Sequence, residues 1–221
     1  MFINNKMTEN VFETQYDVTK KSKLKRFYES NKLSIFATLF TFIILVLALS
    51  IYFTNKEKKI ILLSEDYVKA KIYLQDGNKS KAKEILKRIA LSNDPTYSTL
   101  SFFLLLDQSL LNDNKELISL FDHLLKNNKY EKEMKNLLIY KKVLLSSNFL
   151  EESEILKEIK PILNSESVWK PHTLLFLGNY FFEKKEYLKA KEFYEKILMI
   201  KNLPVNFYNE AASQLILISN A

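Results

Sequence analysis

Between Lys32 and Lys56 the chain carries a run from Leu33 to Phe53, LSIFATLFTFIILVLALSIYF, without a single charged side chain, and this run limits what the rest can be. As a helix rising about 1.5 Å per residue it is roughly 30 Å long, which matches the hydrocarbon thickness of a bilayer. Fourteen of its residues are Leu, Ile, Phe or Val, and each favours insertion by about 0.3 to 0.6 kcal/mol near the bilayer centre. The hydroxyls of Ser34, Thr38, Thr41 and Ser50 need no partner helix, because each can bond back to a carbonyl of its own helix. Residues 33–53 are therefore expected to span a membrane.

The flanks set the orientation. Residues 18–32 hold six basic side chains (Lys20, Lys21, Lys23, Lys25, Arg26 and Lys32), whereas 54–68 hold three, Lys56, Lys58 and Lys59. More positive charge stays in the cytoplasm, so 1–32 reads as a cytoplasmic tail and 54–221 as a domain across the membrane. A cleaved signal peptide is the competing reading, since Ala48-Leu49-Ser50 has the small-x-small form of a cleavage site. Against it, 32 residues are long for a basic leader, and the apolar run continues past that site through Ile51, Tyr52 and Phe53. Within the tail, 1–17 is polar and expected to be disordered. From Val18 to Lys32, Leu24, Phe27 and Tyr28 among lysines suit a short helix against anionic headgroups.

With no cysteine, the chain has no disulfide, no thiolate metal site and no cysteine nucleophile. The net charge of +7 divides into +3 before the span (seven basic, four acidic) and +4 after it (26 basic, 22 acidic). Only Arg26 and Arg88 are arginine, and the lysines alternate with glutamates as on solvated helix faces, which argues against nucleic acid. Two glycines and four prolines leave little material for β-turns or phosphate-cradling loops. An all-α fold is expected, with helices near 56–76, 79–92, 96–112, 114–127, 131–147, 149–164, 169–184, 187–201 and 204–219.

Two of these helical hairpins fall in phase. In KAKIYLQDGNKSKAKEILKRIALSNDP, Ala70 precedes Ala82 by twelve residues; in LGNYFFEKKEYLKAKEFYEKILMIKNLP, Gly178 precedes Ala190 by twelve. That spacing brings two small residues to one helix crossing. The pattern resembles the tetratricopeptide repeat, a 34-residue helix-turn-helix with small residues at its eighth and twentieth positions. The match is best over Pro171–Pro204, with Leu174 where the repeat carries tryptophan. Taking Ala82, Leu117, Glu152 and Ala190 as the twentieth positions gives spacings of 35, 35 and 38. The resemblance implies an α-solenoid of about four hairpins after the transmembrane helix, closed by a C-terminal capping helix, VNFYNEAASQLILIS.

No catalytic constellation stands out. His123 and His172 have no carboxylate at metal-ligand spacing, and with Gly77 and Gly178 alone no glycine-rich phosphate motif exists. No enzymatic activity, cofactor or small-molecule substrate is expected, and no nucleic acid. What remains is a surface. In such a repeat the first helices line the concave face, and on this register that face includes Tyr67, Lys71, Leu74, Phe102, Leu106, Leu137, Lys141, His172, Asn179 and Phe182, a mixture suited to a polypeptide segment.

A basic stub (KKSKLKRFYESNK), one span and hairpins beginning VKAKIYLQDGNKSKAKEIL together resemble the single-pass family that serves as an ancillary subunit of the bacterial Sec translocon. The resemblance implies an inner-membrane protein with a periplasmic domain beside the SecYEG channel, contacting exported polypeptides and periplasmic chaperones as an adaptor. An envelope-assembly or cell-division scaffold with the same repeats is the alternative, and an enzyme a more distant one. The charge asymmetry makes a prediction: a reporter active only in the periplasm, fused after Ala221, is on, and its cytoplasmic counterpart is off. The reverse pattern refutes the orientation.

Overall fold

The computed structural model describes residues 23–220, and among these it contains nine helices and no strand. The tail expected to be disordered, 1–17, and the start of the juxtamembrane segment, 18–22, lie outside the described residues. The chain divides into two units, Met1–Lys58 and Lys59–Ala221.

Helix α1 covers Lys23–Gln75, with a break in its geometry at Asn31 (φ −120°, ψ 20°). There the Asn31 amide donates to the carbonyl of Phe27 at 3.0 Å and Ser30 Oγ to the same oxygen at 3.2 Å. Short polar side chains that bond the backbone in this way compete with the helical ladder. After the break the large apolar side chains of the 33–53 run are exposed. Thr38 and Thr41 donate to the carbonyls of Ser34 (2.8 Å) and Ala37 (2.9 Å), the back-bonding expected of them. By length and composition this helix suffices to cross a membrane.

The second unit holds the rest of α1 and α2 (Lys79–Ala90), α3 (Pro95–Asp107), α4 (Asn114–Asn127), α5 (Lys132–Ser146), α6 (Glu152–Leu163), α7 (Lys170–Glu183), α8 (Tyr187–Leu198) and α9 (Val205–Ser219). Starts coincide with caps: Asn78 accepts from the amide of Lys81, Asp94 from Thr96 and Tyr97, and Asp113 from Lys115. Three of the four first helices close on left-handed residues, α5 being the exception. Gly77 (φ 77°), Ser109 (φ 51°) and Lys185 (φ 62°) follow α1, α3 and α7, and the next amide in each case reaches back five residues, from Asn78 to Tyr73, Leu110 to Leu105 and Glu186 to Phe181.

Burial recurs along the chain. In α7 and α8 the buried residues are Pro171, Thr173, Leu174, Leu177, Gly178 and Phe181, then Ala190, Tyr194 and Ile197. In α5 and α6 they are Asn136, Leu138, Ile139, Lys142, Val143 and Ser146, then Ile155, Ile159 and Ile162, each 35 residues before its counterpart. Ala82, Leu86 and Ile89 of α2 lie 108 residues before the α8 set. In the second hairpin the two helices are offset differently. Phe121 and Leu124 of α4 lie 73 residues before Tyr194 and Ile197, whereas Ser98, Ser101, Phe102 and Leu105 of α3 lie 76 before Leu174, Leu177, Gly178 and Phe181. The difference of three is absorbed by a longer connection, 108–113 against 184–186.

This corrects the expected register at two places. Helix α3 ends at Asp107 rather than near 112, so Phe102, fifteen residues before Leu117 rather than twelve, stands where Gly178 stands in the last hairpin. In the third hairpin Glu152 is only the first residue of α6, and Ile155 takes the buried place matched to Ala190. The 38-residue interval therefore falls between Leu117 and Ile155.

Side-chain size at these matched positions governs how closely each pair packs. A Cβ built on Gly178 stands 2.7 Å from Cδ1 and 2.8 Å from Cζ of Tyr194, so the α7 backbone lies directly on that ring. In the second hairpin Phe102 meets Phe121 instead, edge to face with centroids 4.5 Å apart. Accordingly α7 and α8 pack along much of their length, and α3 and α4 far less.

Two apolar cores result, one around Phe102, Phe121 and Leu138, the other around Val143, Ile159, Leu177 and Tyr194. Helix α5 supplies both, and Lys142 lies between its two contributions. Its ammonium is 2.7 Å from Asp122 on α4 and 2.9 Å from Glu158 on α6. Burial of the ammonium pushes its pKa down, but the bonds to both carboxylates outweigh this and hold it above the usual lysine value. The stabilisation linked to that raised pKa is present below the ordinary lysine pKa and is lost only as pH rises through the folded one.

The two glycines give a paired prediction. Gly178→Ala forces its methyl into Tyr194 and is expected to destabilise by about 1–3 kcal/mol despite alanine's better helix propensity. Gly77→Ala meets nothing within 4 Å but carries φ +77°, and its cost is about 1 kcal/mol. Chemical denaturation followed by circular dichroism orders them; a harmless Gly178→Ala refutes the close approach.

Candidate functional site

Of the ten residues assigned to one face, eight are half-buried, Lys71 is exposed and Phe102 is buried. Tyr67, Leu74 and Leu106 are half-buried against the first core, and Phe182 against the second. Tyr67 leans on Tyr97 with ring centroids 6.2 Å apart, and burial raises its phenol pKa. Lys71 is exposed, and Leu137 and Lys141 are half-exposed. Phe182 meets Tyr187 edge-on at 5.5 Å. Asn179 is tied to the core: its Oδ1 accepts from the hydroxyl of Tyr194 at 2.6 Å.

Phe102 is the correction. It is 0% exposed, enclosed between α3 and α4 against Phe121, and presents nothing to a partner. The longer 108–113 connection moves it to the crossing position, and the adjacent ring, Phe103, takes the half-exposed place. The polar triplet Asp107-Gln108-Ser109 was the signal for the earlier end of α3.

A second missed residue is Tyr140, one position before Lys141. Its ring stacks on Trp169 (5.9 Å between centroids, 23° between planes) and meets His172 at 6.0 Å. His172 in turn lies 5.1 Å from Trp169 and 4.7 Å, edge-on, from Phe207 of α9. These four rings join α5, α7 and α9 in one nest. Tyr140 is half-buried, and that burial raises its phenol pKa. Nδ1 of His172 is buried without a hydrogen-bond partner, so the ring is held by aromatic contacts.

With matched positions aligned on the structure, the half-exposed row along the first helices consists of Tyr67, Lys71 and Leu74 on α1, Phe103 and Leu106 on α3, Leu137, Tyr140 and Leu144 on α5, and His172, Asn179 and Phe182 on α7. Leu144 is 37% exposed. The row offers aromatic and aliphatic surface with few charges, which suits binding of side chains rather than bond-making chemistry. Compared with protein-family models, curated protein sequences and solved structures, the chain matches none.

The corrected register predicts opposite outcomes at adjacent residues. Phe102→Ala empties a closed site and is expected to cost about 3–5 kcal/mol, whereas Phe103→Ala removes a half-exposed ring and costs about 1 kcal/mol. Equal losses in urea unfolding are incompatible with this placement.

Proposed function

We propose that the chain is a membrane-anchored protein-interaction module. Its helix crosses a bacterial inner membrane over 33–53 with the amino end in the cytoplasm, and residues 54–221 form a periplasmic stack of tetratricopeptide-like hairpins. The observation that carries this reading is the recurrence of the whole buried set at 35 residues from α5–α6 to α7–α8, the mark of a repeated two-helix unit. Support for the anchor comes from the exposed apolar helix and the six basic residues against three. Stacked hairpins offer their first helices as an extended surface, and Tyr67, Phe103, Tyr140, His172 and Phe182 are its aromatic members.

The partners proposed follow from the resemblance to the ancillary Sec-translocon family: the SecYEG channel, polypeptides emerging from it and periplasmic chaperones. An adaptor of this kind holds its clients weakly and releases them, and half-buried aromatic anchors suit that task because each offers only part of its ring.

The test is photo-crosslinking in cells from a reactive residue placed at Tyr140, Leu144 or Phe182. Adducts with translocon components or exported chains are expected, and Tyr67→Ala/Tyr140→Ala/Phe182→Ala is expected to weaken capture about tenfold or more. Adducts with cell-division or envelope-assembly proteins alone would replace the translocon by that scaffold role. If the triple variant melts like the parent and captures the same partners undiminished, the first-helix row is not the binding surface.

A further inference from the structure

Between the α6–α7 and α8–α9 connections lies a groove of about 1150 Å³. Leu174, Leu203 and Phe207 line its apolar interior, and Val168 and Met199, 66% and 78% exposed, stand at its border. Leu188 and Val205 of this unit are exposed to a similar degree, and what distinguishes Val168 and Met199 is their place at the border of a groove.

The charge around the groove has one prevailing sign. Lys170, Lys196 and Lys201 border it, Lys196 lying over the Phe193 ring with Glu192 3.9 Å away on its own helix. Of the two carboxylates there, Glu133 is committed to the loop: its Oε2 accepts from Ser167 Oγ at 2.7 Å and from the amide of Val168 at 3.2 Å. Beside the other, Glu166, a fourth lysine, Lys132, donates to the backbone carbonyl at 2.6 Å. Helices α7 and α9 both begin at this groove, and neither has an acidic residue in its first turn to offset the excess.

An apolar interior inside a lysine border complements one kind of occupant. We propose that this groove binds a polypeptide segment that combines large apolar side chains with carboxylates, the apolar groups entering between Val168, Met199 and Phe207 and the carboxylates meeting Lys170, Lys196 and Lys201. The inference rests on the reading of this unit as a polypeptide-holding module, and adds a place and a chemistry to it. The groove joins the first-helix row at His172, whose ring belongs both to the groove and to the aromatic nest.

The molecule carries its own probe. Trp169 is the only tryptophan, and its ring lies 5.1 Å from that of His172 in the groove and 5.9 Å from that of Tyr140 in the row, so intrinsic tryptophan emission reports where the two meet, and the groove variants assign the signal to the groove. The full chain in neutral detergent is titrated with three synthetic peptides: one with leucine, phenylalanine, aspartate and glutamate, one with lysine in place of the acids, and one with alanine in place of the apolar residues. The first is expected to shift Trp169 emission saturably, the others to bind about tenfold or more weakly, and the first complex to weaken with salt. Lys170→Glu/Lys196→Glu/Lys201→Glu and, separately, Met199→Asp are expected to melt like the parent and to bind the first peptide about tenfold or more weakly. Equal binding of the three peptides, absence of saturable binding of the first, or parental affinity in both variants overturns the proposal.

The two readings fail separately. With binding read from the anisotropy of a labelled first peptide, because Tyr140→Ala removes the ring stacked on Trp169, a peptide that binds both groove variants as it binds the parent but is lost from Tyr67→Ala/Tyr140→Ala/Phe182→Ala shows that the groove is wrong and the row stands. If crosslinks from the row are absent while the groove variants alone lose the peptide, the row falls and the groove stands.

Discussion

How near two helices of a hairpin come depends on one side chain on the first and one ring or branch on the second, and the second unit is four variations on that contact. Gly178 beneath Tyr194 lets backbone meet ring. Ala70 and Leu86, and Val143 and Ile159, fill the matched places in the first and third hairpins. Phe102 and Phe121 fill both places with rings in the second. Interiors are packed to crystal-like density, so a small residue is required wherever its partner is large and the backbones are close. The second hairpin resolves the same constraint differently: two rings edge-on need more separation, and α3 and α4 share less of their length.

The second unit has two apolar cores, and Lys142 lies on the helix that contributes to both. Leu177 occupies the matched position in the last hairpin, so an aliphatic side chain fits this place sterically. A buried ammonium is costly to desolvate, by several kcal/mol, and is tolerated only with paired and hydrogen-bonded partners. Asp122 and Glu158 come from the helices on either side of α5, so the pairing forms only when α4, α5 and α6 are all in register. Such a triad contributes specificity of arrangement more than net stability.

Most of the helical content was legible in the sequence because its signals are local. Asn78, Asp94 and Asp113 announce helix starts, the scarcity of glycine and proline leaves little else to form, and the apolar run 33–53 is unambiguous in length. Register was legible where small residues mark the crossing, at Ala70 with Ala82 and Gly178 with Ala190. It was not legible in the middle hairpins, where Phe102 and Val143 occupy the crossing and nothing in their chemistry separates them from neighbouring core residues. Reading α3 to 112 instead of Asp107 shifted the assignment by about a turn, enough to exchange Phe102 with Phe103. A separate slip of three residues in the third hairpin, Glu152 taken for the place that Ile155 holds, hid Tyr140, whose contacts with Trp169 and His172 join residues 29 and 32 positions away along the chain.

The division of apolar surface between core and partner also limits how tightly such a protein can bind. A half-buried aromatic ring has about 100 Å² still exposed, worth roughly 2 kcal/mol if a partner covers it completely. Ordering a flexible client removes about 0.5–1.5 kcal/mol for each immobilised side chain. On the proposed reading, three or four such rings along the first helices would give weak, fast-exchanging contacts whose strength comes from being used together. At the groove, Val168 and Met199 retain most of their surface, and lysines add attraction that acts at a distance of about a Debye length, near 8 Å at physiological salt. Were a client to bind both proposed surfaces, encounter at the charged groove would precede spreading along the aromatic row, because long-range attraction acts before the short-range contacts can form.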